Sequence, residues 1–445
     1  MQYRVIAFLF TFLTVGQITA QTNGNSPYSR FGIGDLTDEH FMHMRAMAGL
    51  GSSYVDGYHI NIVNPASLAS LRATAFDLGI NATRSTLTSG EATSTAWRGN
   101  LQYLSLAFPL KNSLNDLLEK KKSDYSLGMA LTLMPNSTVG YNIESEETVE
   151  GFADVTRRFR GEGGSYKFLW GNAIKYKRLS FGVNLGYLFG NIKYSQSIEF
   201  QNVPSVYQNV IDSDYGMQGF LFDAGAMYMI TLNQKQLESE KTNQPNLLSI
   251  GARLKNATRF NTNLTETTLA IQRGTTTVVD TAFIAIDQEG KGRLPVEMGF
   301  GATYYHGQKY MVGFDFSTAN WSAYKNEADP SAAKNPLKNS MDVSLGGYFR
   351  PDYKSYNKYY KRVYYRYGAY YRKDPRVVEG SQLDSYGLTL GLGLPFIYQR
   401  KISHANLGLE LGRKGNGSVI EENFFTISVG FTFNDDEWFL KRKYN

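Results

Sequence analysis

The feature that most constrains this chain is strict period-two alternation near its carboxyl end. Phe425, Ile427, Val429, Phe431 and Phe433 share one face of an extended segment, and Thr426, Ser428, Gly430 and Thr432 share the other. Upstream, Tyr386, Leu388, Leu390, Leu392 and Leu394 alternate with Gly387, Thr389, Gly391 and Gly393, and Leu407, Leu409 and Leu411 with Asn406, Gly408, Glu410 and Gly412. A soluble sandwich buries its apolar face and exposes the other, where so much glycine would weaken the strands. A barrel in a membrane turns the apolar face to lipid and the small, polar face to a lumen.

Segments of the same kind recur at 74–83, 99–109, 124–134, 166–177, 178–190, 219–231, 246–258, 294–305, 308–317, 340–350 and 361–372. With the three above they make fourteen, an even number as a single-chain bacterial barrel requires. The fold expected is therefore all-β, a transmembrane antiparallel β-barrel of about fourteen strands. With both mature termini in the periplasm, outward connections fall at 84–98, 149–165, 191–218, 259–293, 318–338, 374–383 and 414–421. Inward ones include tight turns at Lys177-Arg178 and His306-Gly307-Gln308, while 111–123 and 232–245 are longer, with Leu114 to Lys122 and Gln234 to Lys241 as helix candidates.

Met1 to Arg4 is a short basic start, followed by an apolar run from Val5 to Val15 and a small residue at Ala20. The run is too short to span a bilayer of roughly 30 Å as a helix. Residues 1–20 read as a secretory signal peptide, the alternative being an amino-terminal anchor helix. No later stretch reaches the roughly 18 apolar residues of a spanning helix, and a mean hydropathy of −0.34 excludes a helical membrane bundle. Between signal and first strand, residues 21–72 are more than a barrel needs. The division expected is 1–20 signal, 21–72 amino-terminal segment, 73–434 barrel and 435–445 periplasmic tail.

Residues 21–72 contain Ser26-Pro27-Tyr28-Ser29-Arg30-Phe31-Gly32-Ile33-Gly34-Asp35-Leu36, then Arg45-Ala-Met-Ala-Gly-Leu-Gly51, then Asn64-Pro65-Ala66-Ser-Leu68. This order of segments before a fourteen-stranded barrel resembles the FadL/OmpP1/TodX family of outer-membrane proteins. The Ser26 to Leu36 segment and the Trp438 to Tyr444 tail resemble its Bacteroidota branch. The resemblance implies a hatch, or plug, formed by the amino-terminal segment inside the lumen, in the outer membrane of a Gram-negative bacterium. It also implies capture of hydrophobic compounds such as long-chain fatty acids at the surface, and their sideways exit through the wall near the third strand. Met134-Pro135-Asn136 follows that strand's alternating Tyr125, Leu127, Met129, Leu131 and Leu133. Proline cannot donate to a ladder, so Pro135 marks either a kink in the wall or the strand's end.

The remaining chemistry points away from catalysis. The chain has no cysteine, which excludes disulfides, cysteine-ligated metals and thiol nucleophiles. Its 46 basic and 40 acidic residues are too balanced for a nucleic-acid binder. Gly32-Ile33-Gly34 has neither the preceding strand nor the third glycine of a dinucleotide fingerprint. His40 and His43 lack a third ligand, so no metal, cofactor or catalytic residue is expected. Inward Asp77, Asp223, Glu297, Asp315, Asp342 and Glu410, with Arg253, Lys255 and Arg413 of opposite sign, are expected to solvate the lumen and pair with the hatch, where Arg30 and Arg45 are candidates. The tyrosine- and base-rich run Tyr353 to Tyr371 reads as an interfacial aromatic girdle beside a basic periplasmic turn.

Two functions remain open. In the first, the barrel takes up hydrophobic compounds passively, with Leu264, Leu269, Ile271, Val278, Val279, Phe283, Ile284 and Ile286 forming a greasy surface groove. In the second, it is a non-transporting accessory subunit of a larger outer-membrane complex for protein export or barrel assembly, as the resemblance also allows. The partners expected are membrane lipid, lipopolysaccharide and a hydrophobic ligand, or other outer-membrane proteins in the second case.

Overall fold

A computed structural model describes residues 26–438, apart from 31, 91, 112–122, 150–152, 202–206, 240–241, 243, 273–277, 329–335, 379 and 416–419. The signal peptide, Phe31, the Leu114 to Lys122 helix candidate and residues 439–445 lie outside them. Fourteen antiparallel strands form the wall. The first six are Thr74–Ser89, Ala92–Pro109, Tyr125–Val149, Ala153–Tyr176, Leu179–Phe200 and Tyr207–Thr231. The seventh is Asn246–Lys255 continued by Arg259–Gln272, and the eighth is Val278–Arg293 continued by Glu297–His306. The last six are Tyr310–Ala319, Ser340–Phe349, Tyr364–Val378, Ser381–Tyr398, Lys401–Lys414 and Glu421–Asp435. The fourteenth pairs with the first, from Glu421 with Thr88 to Asp435 with Thr74, so the sheet closes on itself. Each of the fourteen segments read from alternation lies on one of these strands.

The alternation has the physical cause assigned to it. Leu388, Leu390, Leu409, Leu411 and Ile427 are exposed on the outer face, while Thr389, Thr426 and Ser428 are buried inside. Facing lipid, that outer row loses no contact with water that it would prefer to keep.

Five of the expected outward loops are instead largely strand. Residues 84–98 and 374–383 fall mostly within the first and second and the eleventh and twelfth strands, and 149–165, 191–218 and 259–293 within the third to eighth, some of which run to 25 residues, against 10 for the ninth and tenth. At roughly 3.3 Å per residue, 25 residues far exceed an apolar band about 25 Å tall, so this side of the wall rises well clear of the membrane. Above the band both faces meet water and the apolar alternation disappears. Cross-strand ion pairs such as Arg158 with Glu144 at 3.1 Å and Arg157 with Glu147 at 3.3 Å occupy it instead. At the opposite rim several turns are tight, with Gly307 supplying the left-handed backbone (φ +54°) between the eighth and ninth strands. Gln234–Glu238 is helical, as its composition suggested.

Residues 26–73 lie within the ring and are mostly buried. Short 3₁₀ turns at Pro27–Arg30 and Pro65–Ser70 and a helical turn at Met42–Arg45 are joined by extended chain. Phe41, Met42, Met44, Met47, Leu50, Ile60, Ile62 and Leu68 pack with Tyr103, Ala107, Ala130, Leu169 and Tyr348 of the wall in one apolar cluster.

Candidate functional site

The glycines of the inner face make room for this segment. A Cβ at Gly251 would stand 1.9 Å from the Ser52 carbonyl oxygen, and one at Gly225 would stand 2.0 Å from Asn64 Oδ1. Backbone can therefore lie against backbone, and polar groups of the segment reach the wall's own carbonyls. Asn64 shows why Asn-Pro-Ala is needed: its Oδ1 accepts the Ala66 N–H at 3.1 Å and caps the 3₁₀ turn, with Pro65 at its first position. Its Nδ2 donates to Ser52 O at 2.6 Å and Ala252 O at 3.2 Å. Replacing Gly251 by Val should leave a folded, heat-modifiable barrel but dislodge this contact. Hydrogen exchange at residues 51–66 is expected to accelerate, and unchanged protection would refute the close fit.

Ion pairs fasten the segment around the ring. Arg45 donates to Gln102 at 2.9 Å and to Glu410 at 3.2 Å. Asp38 meets Arg372 at 3.1 Å, Glu39 bridges Lys167 and Lys255, and Asp35 meets Arg376. Asp315 takes the Gly51 and Ser52 N–H groups at 3.1 and 2.6 Å. Burial alone would raise the Glu39 carboxyl, but Lys167 and Lys255 outweigh it and hold the group well below the carboxylate range; for Asp38, His40 and Arg372 do the same. His43 moves the other way in charge: burial, then His59 and Arg366, keep its imidazole neutral and its pKa well below the ordinary value.

All three depressed values give the same sign. The docked state resists protonation, so its stability is complete above the solvated pKa values and falls as pH drops, first below about 6.5 for His43 and then below about 4 for the carboxylates. Protection at residues 38–60, taken relative to the intrinsic exchange rate at each pH, should therefore fall between pH 7.5 and 5.5, and again by pH 4. A flat profile would show that these groups do not govern docking.

The expected site residues are placed as follows. Ser26, Tyr28 and Gly34 meet the third strand or the rim: the Ser26 N–H donates to Gly140 O at 2.9 Å, and the Tyr28 hydroxyl to Ile420 O at 2.5 Å. Gly32 and Gly34 both have positive φ, and a Cβ on Gly34 would stand 2.6 Å from Thr138 O. Pro27 opens the first 3₁₀ turn. Arg30 is a correction: it lies over the Phe159 ring at 4.0 Å, a cation–π contact, with no carboxylate partner among the described residues. Arg413 pairs with Glu421 at the rim and not with the segment. His40 and His43 diverge, His40 to Asp38 and His43 to His59, whose ring centroid is 4.7 Å away.

The third strand does not end at Pro135. It runs on to Val149, with an irregularity between Pro135 and Ser137 in its ladder to the fourth strand. Its ladder to the second strand is short, from Pro109 with Gly128 to Leu104 with Leu133, and stops just before Met134. Beyond that point the third strand's edge is taken by the amino-terminal segment. Asp35 and Leu36 pair with Thr138 and Ser137, and the Thr37 N–H donates to Asn136 O at 3.0 Å. Met134 and Pro135 are buried, and Asn136 donates to Ser165 Oγ at 3.0 Å. The neighbouring backbone is thus satisfied from within.

The largest open space is strongly charged, and the apolar cluster of the raised wall is tightly packed. The main cavity, about 400 Å³, lies between the segment and the raised wall. Acidic Asp35, Asp38, Glu39, Asp223, Glu297, Asp342, Asp374, Glu410 and Glu422 line it together with basic Arg45, Arg98, Lys167, Arg253, Lys255, Arg372, Lys373, Arg376 and Lys414, beside apolar Ile33, Leu36, Val63, Leu221, Leu294, Trp321 and Phe424. Apolar residues of the raised wall, including Val139, Leu188, Ile192, Met217, Phe260 and Leu264, pack solidly on Ile33 and Trp321, and the adjacent void is about 10 Å³. The greasy groove expected of the 259–293 region is therefore absent among the described residues: Leu264 is inside, while Phe283, Ile284 and Ile286 are exposed. Sequence reasoning missed Tyr103, whose hydroxyl accepts the Met42 N–H at 3.0 Å and whose ring stacks on Phe41 at 3.8 Å. It also missed Arg366, inside the run read as an aromatic girdle, Arg372, at the end of the 361–372 segment, and Arg376, in the expected outward loop 374–383; their inward strand positions were the available signal.

Solved structures share the fold. The Ralstonia pickettii toluene transporter TbuX superposes with a TM-score of 0.55 at 14% identity, covering 89% of this chain and 99% of that one. The Pseudomonas putida toluene transporter TodX gives 0.54 at 15%, covering 91% and 100%, and a Pseudomonas aeruginosa FadL homologue gives 0.51 at 12%, covering 89% and 98%. No curated protein sequence matches the chain. The FadL-type barrel locates the protein in the outer membrane of a Gram-negative cell. Over residues 1–445 the sequence matches the model of one family, described as BamG, and the chain belongs to the BamG family.

Proposed function

We propose that this protein is a sealed FadL-type barrel acting as an accessory subunit of a larger outer-membrane assembly machine. The observation that carries this reading is the charge of the main cavity. A site for a greasy molecule is concave and mostly apolar, whereas among the described residues the main cavity is lined by many charged side chains of both signs, and the apolar cluster of the raised wall encloses almost no space. Membership of an outer-membrane assembly-related family agrees with it. In this reading residues 1–20 are removed on export, residues 21–72 remain as a permanent plug, and exposed Phe283, Ile284 and Ile286 serve contact with a partner. Extraction of tagged protein in mild detergent should give a native assembly far above 50.0 kDa, and its depletion should lower the abundance of other heat-modifiable barrels. A monomer whose loss leaves those barrels unchanged would overturn the reading.

A second reading, uptake of hydrophobic compounds such as long-chain fatty acids, is favoured by one feature: the parting of the second and third strands at Met134-Pro135-Asn136. A ligand leaving there would enter lipid directly, gaining roughly 0.8 kcal/mol per buried methylene. Loss of labelled fatty-acid uptake on gene deletion, with barrel abundance unchanged, would establish this reading in place of the first.

A further inference from the structure

We propose that the turn between the tenth and eleventh strands, residues 350–363, binds the phosphate headgroups of anionic phospholipids in the periplasmic leaflet of the outer membrane. The turn follows Phe349 and precedes Tyr364, at the rim that also carries Thr74 and Asp435. It folds back along the outside of the wall. Tyr359 Oη donates to Pro395 O at 3.1 Å, and outward-facing Tyr365 donates from its hydroxyl to Tyr360 O at 3.0 Å. Phe349, Leu345 and Leu392 of the lipid-facing belt stand above it, all exposed. Tyrosines at that height occupy the level where amphipathic rings meet headgroups. Tyr356 is 96% exposed at the tip, which the headgroup layer would cover.

The charge of the turn is what selects an anionic lipid. It carries Arg350, Lys354, Lys358, Lys361 and Arg362 against one carboxylate, Asp352. Arg350 is committed to Tyr364 Oη at 2.7 Å and Gln308 Oε1 at 2.6 Å, and Asp352 accepts the Lys354 N–H at 3.0 Å. Among the described residues no carboxylate lies within ion-pair reach of Lys354, Lys358 or Lys361, in contrast to the paired cations of the lumen and raised wall. These flexible cations sit beneath apolar surface, as snorkelling lysines do. Lipopolysaccharide phosphates lie in the opposite leaflet, too far to reach. An acidic protein is the competing occupant, disfavoured because the turn lies against the lipid-facing wall.

This inference is independent of the two functional readings. Full-length protein would be reconstituted in nanodiscs of equal phosphatidylglycerol and phosphatidylcholine, and the lipids retained on detergent extraction counted by native mass spectrometry. The wild type should retain phosphatidylglycerol several-fold over phosphatidylcholine. Since each basic residue near an anionic surface contributes about fivefold, the triple variant K354Q/K358Q/K361Q should lose most of that preference, while K354R/K358R/K361R keeps it. Heat-modifiable migration checks that each variant is folded. Equal retention of both lipids by the wild type, or an undiminished preference in the glutamine variant, overturns the assignment. So does a glutamine variant that keeps its lipid preference yet loses a protein copurified from native membranes, because the turn is then a protein-docking site.

Discussion

Deleting residues 26–50 is expected to turn a closed barrel into an open pore, with single-channel conductance in planar bilayers rising by an order of magnitude or more. The deleted stretch supplies Phe41, Met42, Met44, Met47 and Leu50 to the central cluster and Asp35, Asp38, Glu39 and Arg45 to the ring of ion pairs. It also covers the third strand's edge at Ser137 and Thr138. The seam that closes the sheet does not depend on it, because the fourteenth strand meets the first along an unbroken ladder from Glu421 to Asp435. The wall carboxylates and cations left behind would face water, which solvates them at little cost, so a folded shell is expected to survive. Heat-modifiable migration tests survival, and the conductance trace tests the plug. A folded deletion protein with unchanged conductance would mean that the seal lies in the wall itself. If no folded barrel is recovered, the segment is part of the folding nucleus, and the Gly251→Val variant, which only displaces it, carries the conductance test.

Legibility in the sequence followed the solvent. Where lipid lies on one side and the plug on the other, as at Leu388 to Leu394 and Phe425 to Phe433, the two faces differ in chemistry and each strand is readable. Above the membrane that contrast vanishes, so Glu144 to Val149 and Ala153 to Arg160 look like loop although they pair residue by residue. The inward carboxylates were readable as lumen residues, and Glu410 with Arg45 is a pairing that inward placement on a strand makes available. Which plug residue meets which wall residue was not readable, because those contacts join positions such as Asp315 and Ser52 that no local pattern relates. Pro135 illustrates the same limit: a missing N–H announces a disturbed ladder, but it does not say that Asp35 and Leu36 of the plug take the free edge. Arg30 was misplaced for a related reason, since its place over Phe159 depends on the path of the whole segment and not on its neighbours in sequence.

Asp315→Ala should be the most disruptive single substitution for plug docking. Asp315 is almost fully buried on the ninth strand, and one of its oxygens accepts the Gly51 and Ser52 N–H groups while the other accepts the Ser52 hydroxyl at 2.9 Å. Arg253 donates to the same hydroxyl at 3.2 Å. Truncation removes no more than a few atoms of packing, but it strands two backbone donors and a hydroxyl in a site that water reaches poorly. At roughly 1–3 kcal/mol for each unsatisfied group, and with partial rearrangement, a loss of about 3–5 kcal/mol is expected. That corresponds to an undocked fraction larger by about 10² to 10⁴ at equilibrium. Asp342→Ala is the comparison: this carboxylate lines the main cavity from the tenth strand but, among the described residues, forms no hydrogen bond to the segment. Hydrogen exchange at Gly51 to Asn64 should accelerate strongly in the first variant and little in the second. If the two behave alike, net charge in the cavity and not the bonds to Gly51 and Ser52 holds the segment. The plug would then rest on a diffuse electrostatic fit that high salt should loosen, whereas short buried bonds of the kind seen at Asp315 are screened much less.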